Sequence, residues 1–226
     1  MEKGEFVAIL GYSGTGKSTI MNLIAGLVSP DKGEVIVDGK KVEGPSPDRG
    51  LVFQNYSLLP WFDVYKNVAL AVNEVYPEES SKAKDKVGLT EAADKRPAEL
   101  SGGMRQRVGL ARAFALNPKM LLLDEPFGML DKLTKFELQQ VLIDLWNRER
   151  LTAMMITHDV DEAIYLADRV VMMTNGPAAR VGEIVTIDFE RPRDRRDIMA
   201  DPKYLEYREQ LISFLEERVY LMDEAA

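Results

Sequence analysis

The 226-residue chain has no cysteine and a single histidine. Those absences exclude disulfide scaffolds, thiol catalysis, thiolate-bound zinc, iron–sulfur clusters and histidine-cluster metal sites. Any metal ion must be a hard cation held by oxygen. No apolar run approaches the roughly 20 residues of a membrane-spanning helix, and Met1-Glu2-Lys3 does not open a signal peptide, so the chain is expected to stay in the cytoplasm. The formal net charge of −8 opposes attraction to a phosphate backbone, which argues against nucleic acid as the main ligand. The densest basic run, Arg191, Arg193, Arg195 and Arg196, is interleaved with Glu190, Asp194 and Asp197 and reads as a solvated surface.

What is present is an ordinary globular balance, 46% apolar and 29% charged, on a length suited to one large domain or a domain with a small lobe. Short apolar runs alternate with longer segments of helical period, which predicts an α/β fold with a mainly parallel sheet. Strands are expected at Phe6–Leu10, Val35–Val37, Gly50–Phe53, Met120–Leu123, Ala153–Thr157, Arg169–Met173 and Arg180–Phe189. In Lys132–Arg148, the residues Leu138, Val141, Leu142, Leu145 and Trp146 line one helix face. Leu205, Arg208, Leu211, Ile212 and Leu215 predict a final helix that covers the core. The stretch Asp63–Glu99, with the turn-like Pro77-Glu78-Glu79-Ser80-Ser81 inside it, reads as a small helical lobe between two strands, and Asn175-Gly176-Pro177 as a turn.

Three segments carry chemistry. Gly11-Tyr12-Ser13-Gly14-Thr15-Gly16-Lys17-Ser18-Thr19 lies between the strand Phe6–Leu10 and the helix Ile20–Leu27. This is G-x-x-x-x-G-K-S in the strand–loop–helix setting of a phosphate loop. Backbone N–H groups curl around phosphate oxygens, the helix dipole adds to them, Lys17 reaches the β/γ-phosphates and Ser18 offers its hydroxyl to Mg2+. Met120–Leu123 runs into Asp124-Glu125-Pro126, and neighbouring strand side chains point to opposite faces. Asp124 is thus read as holding Mg2+ with Ser18, and Glu125 as polarising the attacking water. Leu100-Ser101-Gly102-Gly103-Met104-Arg105-Gln106 opens a helix; alone, it says only that Ser101 caps that helix.

Taken together, from Gly4 to about Glu217, these residues resemble the nucleotide-binding subunits of ABC transporters. The resemblance implies a P-loop NTPase core over residues 1–62 and 101–175, a helical lobe over 63–100 and a C-terminal strand–helix extension over 176–226. It implies that Leu100–Gln106 is the signature motif, whose Ser101, Gly102 and Gly103 contact ATP held by the phosphate loop of a second subunit. A head-to-tail homodimer, or a heterodimer with another ATPase subunit, then encloses two ATP molecules. It further implies that Gln54 touches Mg2+ and water, that Asp131 crosses the dimer interface, and that His158 senses the γ-phosphate and orients Glu125. Asp159 and Glu162 could cap the helix after His158 as a capping box.

Thr157-His158-Asp159-Val160-Asp161-Glu162-Ala163, Thr174-Asn175-Gly176-Pro177 and Arg191-Pro192-Arg193 are most similar to the nitrate or bicarbonate branch of the importers that also serve sulfonates and taurine. The function implied is the ATP-hydrolysing motor of an anion importer, nitrate first. It would be held at the cytoplasmic face of the inner membrane by permease subunits and served by a solute-binding protein. A weakened or truncated regulatory module is the alternative. Trp61 and Phe62, in an apolar loop after Gln54, either face such a permease or pack inside the lobe. Two departures from the family pattern are expected to matter. Only Met1-Glu2-Lys3 precedes Gly4, where the family has a strand pair bearing an adenine-stacking aromatic worth about 1–3 kcal/mol. The segment Ser80–Gly88, before Val87-Gly88-Leu89-Thr90, is also shorter than the family's helix.

Overall fold

A computed structural model describes residues 1–75, 90–176 and 178–223. The expected turn at Pro77–Ser81, the shortened segment Ser80–Gly88 and Pro177 lie outside the described residues. In chain order the elements are β1 (Phe6–Leu10), α1 (Lys17–Ala25), the short strands β2 (Ile36–Val37) and β3 (Lys40–Lys41), β4 (Arg49–Val52) and α2 (Val64–Val75). Two single 3-10 turns, Thr90–Ala92 and Pro97–Glu99, precede α3 (Gly102–Ala115). Then follow β5 (Met120–Asp124), α4 (Lys132–Glu149), β6 (Thr152–Thr157), α5 (Val160–Leu166), β7 (Arg169–Met173), β8 (Val181–Thr186), α6 (Arg195–Ala200) and α7 (Pro202–Asp223).

The main sheet has the order β4-β5-β6-β1-β7-β8, parallel except for the antiparallel pair β7–β8. Helices cover both faces, so the central strands are apolar on both sides, and all five residues of β1 are buried. The period of two sorts the core. Phe6, Ala8, Leu10, Leu121, Leu123, Ala153 and Met155 face the large cluster around Leu142 and Trp146, while Ile9, Leu122, Met154 and Ile156 face α1 through Met21 and Ala25. α2 packs against α3, and both contribute to the same large cluster, Val64 and Val68 from α2 and Val108, Leu110 and Phe114 from α3.

Several sequence expectations shift. The helix expected at Ile20–Leu27 begins at Lys17 and ends at Ala25, because Gly16 and Gly26 both take left-handed conformations at its ends. Val35–Val37 does not join the main sheet: Ile36 and Val37 pair with Lys41 and Lys40 in a separate hairpin, and Ile36 is exposed. Among the described side chains of α7 the buried ones are Tyr204, Leu211 and Phe214, and Leu205 faces outward.

The arginine run is not a solvated surface. Arg193 is buried and its guanidinium donates to five backbone carbonyls, those of Ile164, Tyr165, Ala167, Ile187 and Phe189. Three of these carbonyls lie at or just past the end of α5, where an α-helix leaves its last acceptors without intrahelical donors. Arg191 bonds Asp168 at 2.8 Å and stacks over Trp146 with its guanidinium carbon 4.3 Å from the ring centre, and Arg195 lies 3.9 Å from the Tyr165 ring centre. Counting neighbouring charges in the sequence missed these contacts, because the acceptors are backbone groups and rings far away in the chain.

Candidate active site

In open α/β sheets the crevice at the carboxyl ends of the strands, where the strand order reverses, is the ligand position. β1 lies between β6 and β7, and Gly11–Thr19 emerges from its carboxyl end. Gly14 and Gly16 have φ of +83° and +84°, a conformation that strains any L side chain, so both glycines are required by the turn itself. Gly16 supplies no side-chain cap to α1, which leaves the first N–H groups of that helix available to an anion. Ser13, Gly14, Ser18 and Thr19 are exposed on this rim, whereas Thr15 is buried and bonds the Tyr12 carbonyl at 2.9 Å.

Lys17 is buried and turned back onto its own loop, its Nζ donating to the carbonyls of Gly11 and Tyr12 at 2.7 Å each. Burial pulls its pKa below the usual lysine value, against the opposing pull of the Glu125 and Asp124 charges. Asp124 shows the mirror effect: burial and the nearby Glu125 charge raise its pKa, while a hydrogen bond with Ser18 and the Lys17 charge work the other way. Lysine, serine and the two acids thus form one coupled electrostatic group. Ser18 and Asp124 offer hard oxygen donors side by side. Among the described residues no cluster of three or more His, Cys, Asp or Glu could cage a metal ion, so a hard cation held here would complete its shell with phosphate and water oxygens.

Glu125 separates from Asp124 by a route other than strand alternation. It leaves β5 with φ of +43°, a left-handed value that costs a non-glycine residue energy, while its N–H bonds the Ile156 carbonyl at 3.0 Å. Its Oε2 accepts from Gln54 Nε2 at 3.1 Å and lies 3.3 Å from His158 Nδ1. Residues just past the ends of β4, β5 and β6 therefore meet at one carboxylate oxygen.

His158 is exposed, but its flanks are fixed. Thr157 donates its hydroxyl to Glu162 Oε2 at 2.6 Å and accepts from the Asp159 N–H at 3.0 Å, and Asp159 accepts from the Glu162 N–H at 3.1 Å. The expected capping box forms only by half, since the Glu162 carboxylate is taken by Thr157 and by Lys135 instead of the Asp159 N–H.

The signature segment stands apart from this group. Ser101 caps α3, accepting from the Met104 N–H at 3.3 Å, and Gly103 packs so closely on α4 that a Cβ there would lie 2.4 Å from Thr134 Cγ2. Among the described residues no hydrogen bond or ion pair joins Leu100–Gln106 to Gly11–Thr19. Asp131 caps α4 by accepting from the Leu133 and Thr134 N–H groups, and its hydrogen bonds, those with Thr134 foremost, hold its pKa below the usual carboxylate range.

Three supporting residues escaped the sequence reading. Arg112 on α3 donates to the Ser57 and Tyr56 carbonyls, tying the loop after Gln54 to the signature helix. Asn67, almost fully buried within α2, bonds Leu59, Phe62 and Asp63 and folds the same loop; a polar residue inside an apolar stripe was the available signal. Lys135 had none, since a lysine on a helix reads as solvated. Of the two aromatics in that loop, Trp61 is 64% exposed and does not pack inside the lobe, while Phe62 is half-buried.

The sequence profile described as ABC transporter matches residues 1–128. The bicarbonate transport ATP-binding protein CmpD of Synechococcus elongatus is 52% identical over 99% of this chain and 84% of its own length. The nitrate import ATP-binding protein NrtD of the same organism is 51% identical over 96% of this chain and 82% of its own length. Among solved structures, a dimeric ATP-binding cassette in a post-hydrolysis state, bound to ADP and Pi, superposes with a TM-score of 0.71 at 31% identity, covering 84% of this chain and 88% of that one.

Proposed function

The chain belongs to the ABC transporter family, and from that premise we propose that it is the ATP-hydrolysing subunit of an importer for a small oxyanion, nitrate or bicarbonate. The observation that carries the reading is the convergence of Gln54 and His158 on one oxygen of Glu125, next to the loop that holds Lys17. Phosphoryl transfer asks a protein mainly for positioning and charge stabilisation. The N–H groups of Gly14–Thr19 and the Lys17 ammonium bind the phosphates; charge-assisted bonds to phosphate oxygens displace Lys17 from its weaker carbonyl partners. Glu125 takes the proton of the attacking water, and Gln54 and His158 fix the direction in which its carboxylate points.

The oxygen donors of Ser18, Asp124 and Gln54 suit Mg2+, which when bound neutralises charge on the phosphates. Gln54 donates through Nε2 and so keeps its amide oxygen for this role. Among the described residues, Ser101, Gly102, Gly103 and Asp131 make no hydrogen bond or ion pair with the phosphate loop of their own chain. They complete the site of a second copy, or of a related ATPase subunit, in a head-to-tail dimer, as the dimeric cassette of similar fold supports. Closure of that dimer on ATP and its release on hydrolysis form the motor stroke. Among the described residues no helix is long and apolar enough to cross a membrane, so we assign the membrane path and the choice of anion to separate permease and solute-binding subunits, with exposed Trp61 beside the permease at the cytoplasmic face.

The test is phosphate release and anion uptake after reconstitution with the permease subunits of a nitrate or bicarbonate importer. Uptake of the labelled anion that is abolished by Lys17→Ala supports the assignment of this chain as the motor subunit for that permease. Undiminished ATP turnover in Lys17→Ala, or uptake of neither anion by the wild type, contradicts the reading.

A further inference from the structure

Away from the phosphate loop, a compact ionic cluster links α4 to the segment that carries His158. Lys135 Nζ lies 2.6 Å from Asp159 Oδ2 and 2.5 Å from Glu162 Oε1. Glu162 is 5% exposed, so its charge has little water to fall back on, and Lys135 is the cation that it contacts. With the bonds among Thr157, Asp159 and Glu162, the cluster fixes the backbone on both sides of His158 while the imidazole remains exposed.

The residue before Lys135 completes a connection. Thr134 lies in the same first turn of α4, and its methyl group fills the space beside Gly103 on the signature helix. The same turn is anchored by Asp131, which bonds the N–H groups of Leu133 and Thr134. A single rigid turn thus touches the signature helix through Thr134 and the His158 segment through Lys135. Packed elements of this kind move as units, because close-packed interiors transmit displacement with little compression.

We propose that Lys135 is a positioning residue that makes the placement of His158 against Glu125 depend on the position of the signature helix. A shift of α3 on completion of the site by a second subunit would move the first turn of α4, and the double ion pair would carry that shift to His158. This inference rests on the proposed role of His158 in ATP turnover. Lysine contributes one ammonium shared by two carboxylates, and arginine, with its longer planar fork, can reach both oxygens as well.

The experiment is a double-mutant cycle on steady-state ATP hydrolysis with Lys135→Met, Lys135→Arg, His158→Ala and the combined variants. The expected result is a fall in kcat of about tenfold or more for Lys135→Met, with KM for ATP within threefold of wild type and recovery in Lys135→Arg. In the His158→Ala background the same substitution should have at most a twofold effect. If Lys135→Met fails to fold, Glu162→Gln, which keeps the shape and the Thr157 bond but weakens the ion pair, takes its place in the same cycle. Equal fold-losses in both backgrounds, or wild-type kcat for the substituted pair, overturn the proposal and leave only a structural ion pair. Should His158→Ala itself hydrolyse ATP at the wild-type rate, the assignment of His158 fails as well, which separates the two readings.

Discussion

Gln54 Nε2 donates to Oε2 of Glu125 at 3.1 Å, and this is the oxygen that His158 Nδ1 faces at 3.3 Å. In the proposed function the other carboxylate oxygen acts on water. Replacing Glu125 by Gln keeps the shape and removes the base, so kcat should fall by roughly 10²- to 10⁴-fold with ATP affinity nearly unchanged. Gln54→Ala keeps the base and loses its guide together with one of the oxygen donors proposed for Mg2+, so its loss in kcat should be smaller at saturating Mg2+. Phosphate release at saturating ATP, set beside nucleotide binding, checks both; similar losses from the two variants would show that orientation, and not proton acceptance, limits the rate.

The contact of Gly103 with Thr134 gives a prediction with a built-in rescue. A Cβ at Gly103 would meet Thr134 Cγ2 at 2.4 Å, and a β-branched side chain has little freedom to turn away. Gly103→Ala should lower stability by about 1–3 kcal/mol in urea titrations. Adding Thr134→Ser, which removes that methyl group, should restore most of the loss. Without such recovery, the close approach is not what requires glycine there.

Arg193 is held by five carbonyls and is almost without solvent contact. Burial pulls its pKa down to about 10, so it remains charged at neutral pH. Arg193→Met would leave those carbonyls short of a donor and should cost about 3–5 kcal/mol of unfolding free energy. Arg193→Lys should recover little, because an ammonium cannot reproduce the planar fork. Chemical denaturation of the two variants side by side is the check.

The Lys135 cluster predicts a pH dependence whose sign is fixed. Burial already holds Glu162 above the usual carboxylate range despite the hydrogen bonds and charge of Lys135, whereas in Asp159 the bonds to Lys135 and to backbone N–H groups outweigh burial and keep the pKa low. The groups facing this pair are Lys135 from α4, Thr157 from β6 and, at longer range, Arg195 from α6 and Tyr204 from α7. Without Lys135, both carboxyl groups shift upward. The folded state then binds protons that the unfolded chain releases, and stability falls as pH rises from the ordinary carboxylate value through the raised one. The melting temperature of Lys135→Met should therefore lie further below wild type at pH 8 than at pH 5; a gap independent of pH would mean that the two acids are not coupled to Lys135.

Much of the fold is legible in the sequence, and the reason is locality. Phe6–Leu10, the glycines at 14 and 16 and the cap Ser101 each act within a few residues, so composition and spacing reveal them. The strand ends that carry Gln54, Glu125 and His158 follow from the same local patterns. What escapes is set by distant partners. Arg193 reads as solvated until the carbonyls of α5 lie around it, and Lys135 reads as a surface lysine until Asp159 and Glu162 close on it. Ile36 and Val37 have strand-forming side chains but pair with two lysines in a separate hairpin, and side-chain preference does not name a strand's partner. Glu125 takes its direction from a left-handed backbone that alternation cannot foresee.

In the proposed function two incomplete sites become whole by sharing ATP across a dimer. The most direct measurement is the solution mass of the Glu125→Gln variant, by light scattering on a sizing column, with and without Mg-ATP at millimolar concentration. The mass is expected to double with Mg-ATP and to return to that of the single 25.5 kDa chain when Lys17→Ala is added. A mass unaffected by Mg-ATP would contradict it, because Ser101–Gly103 and the loop Gly11–Thr19 would then never meet.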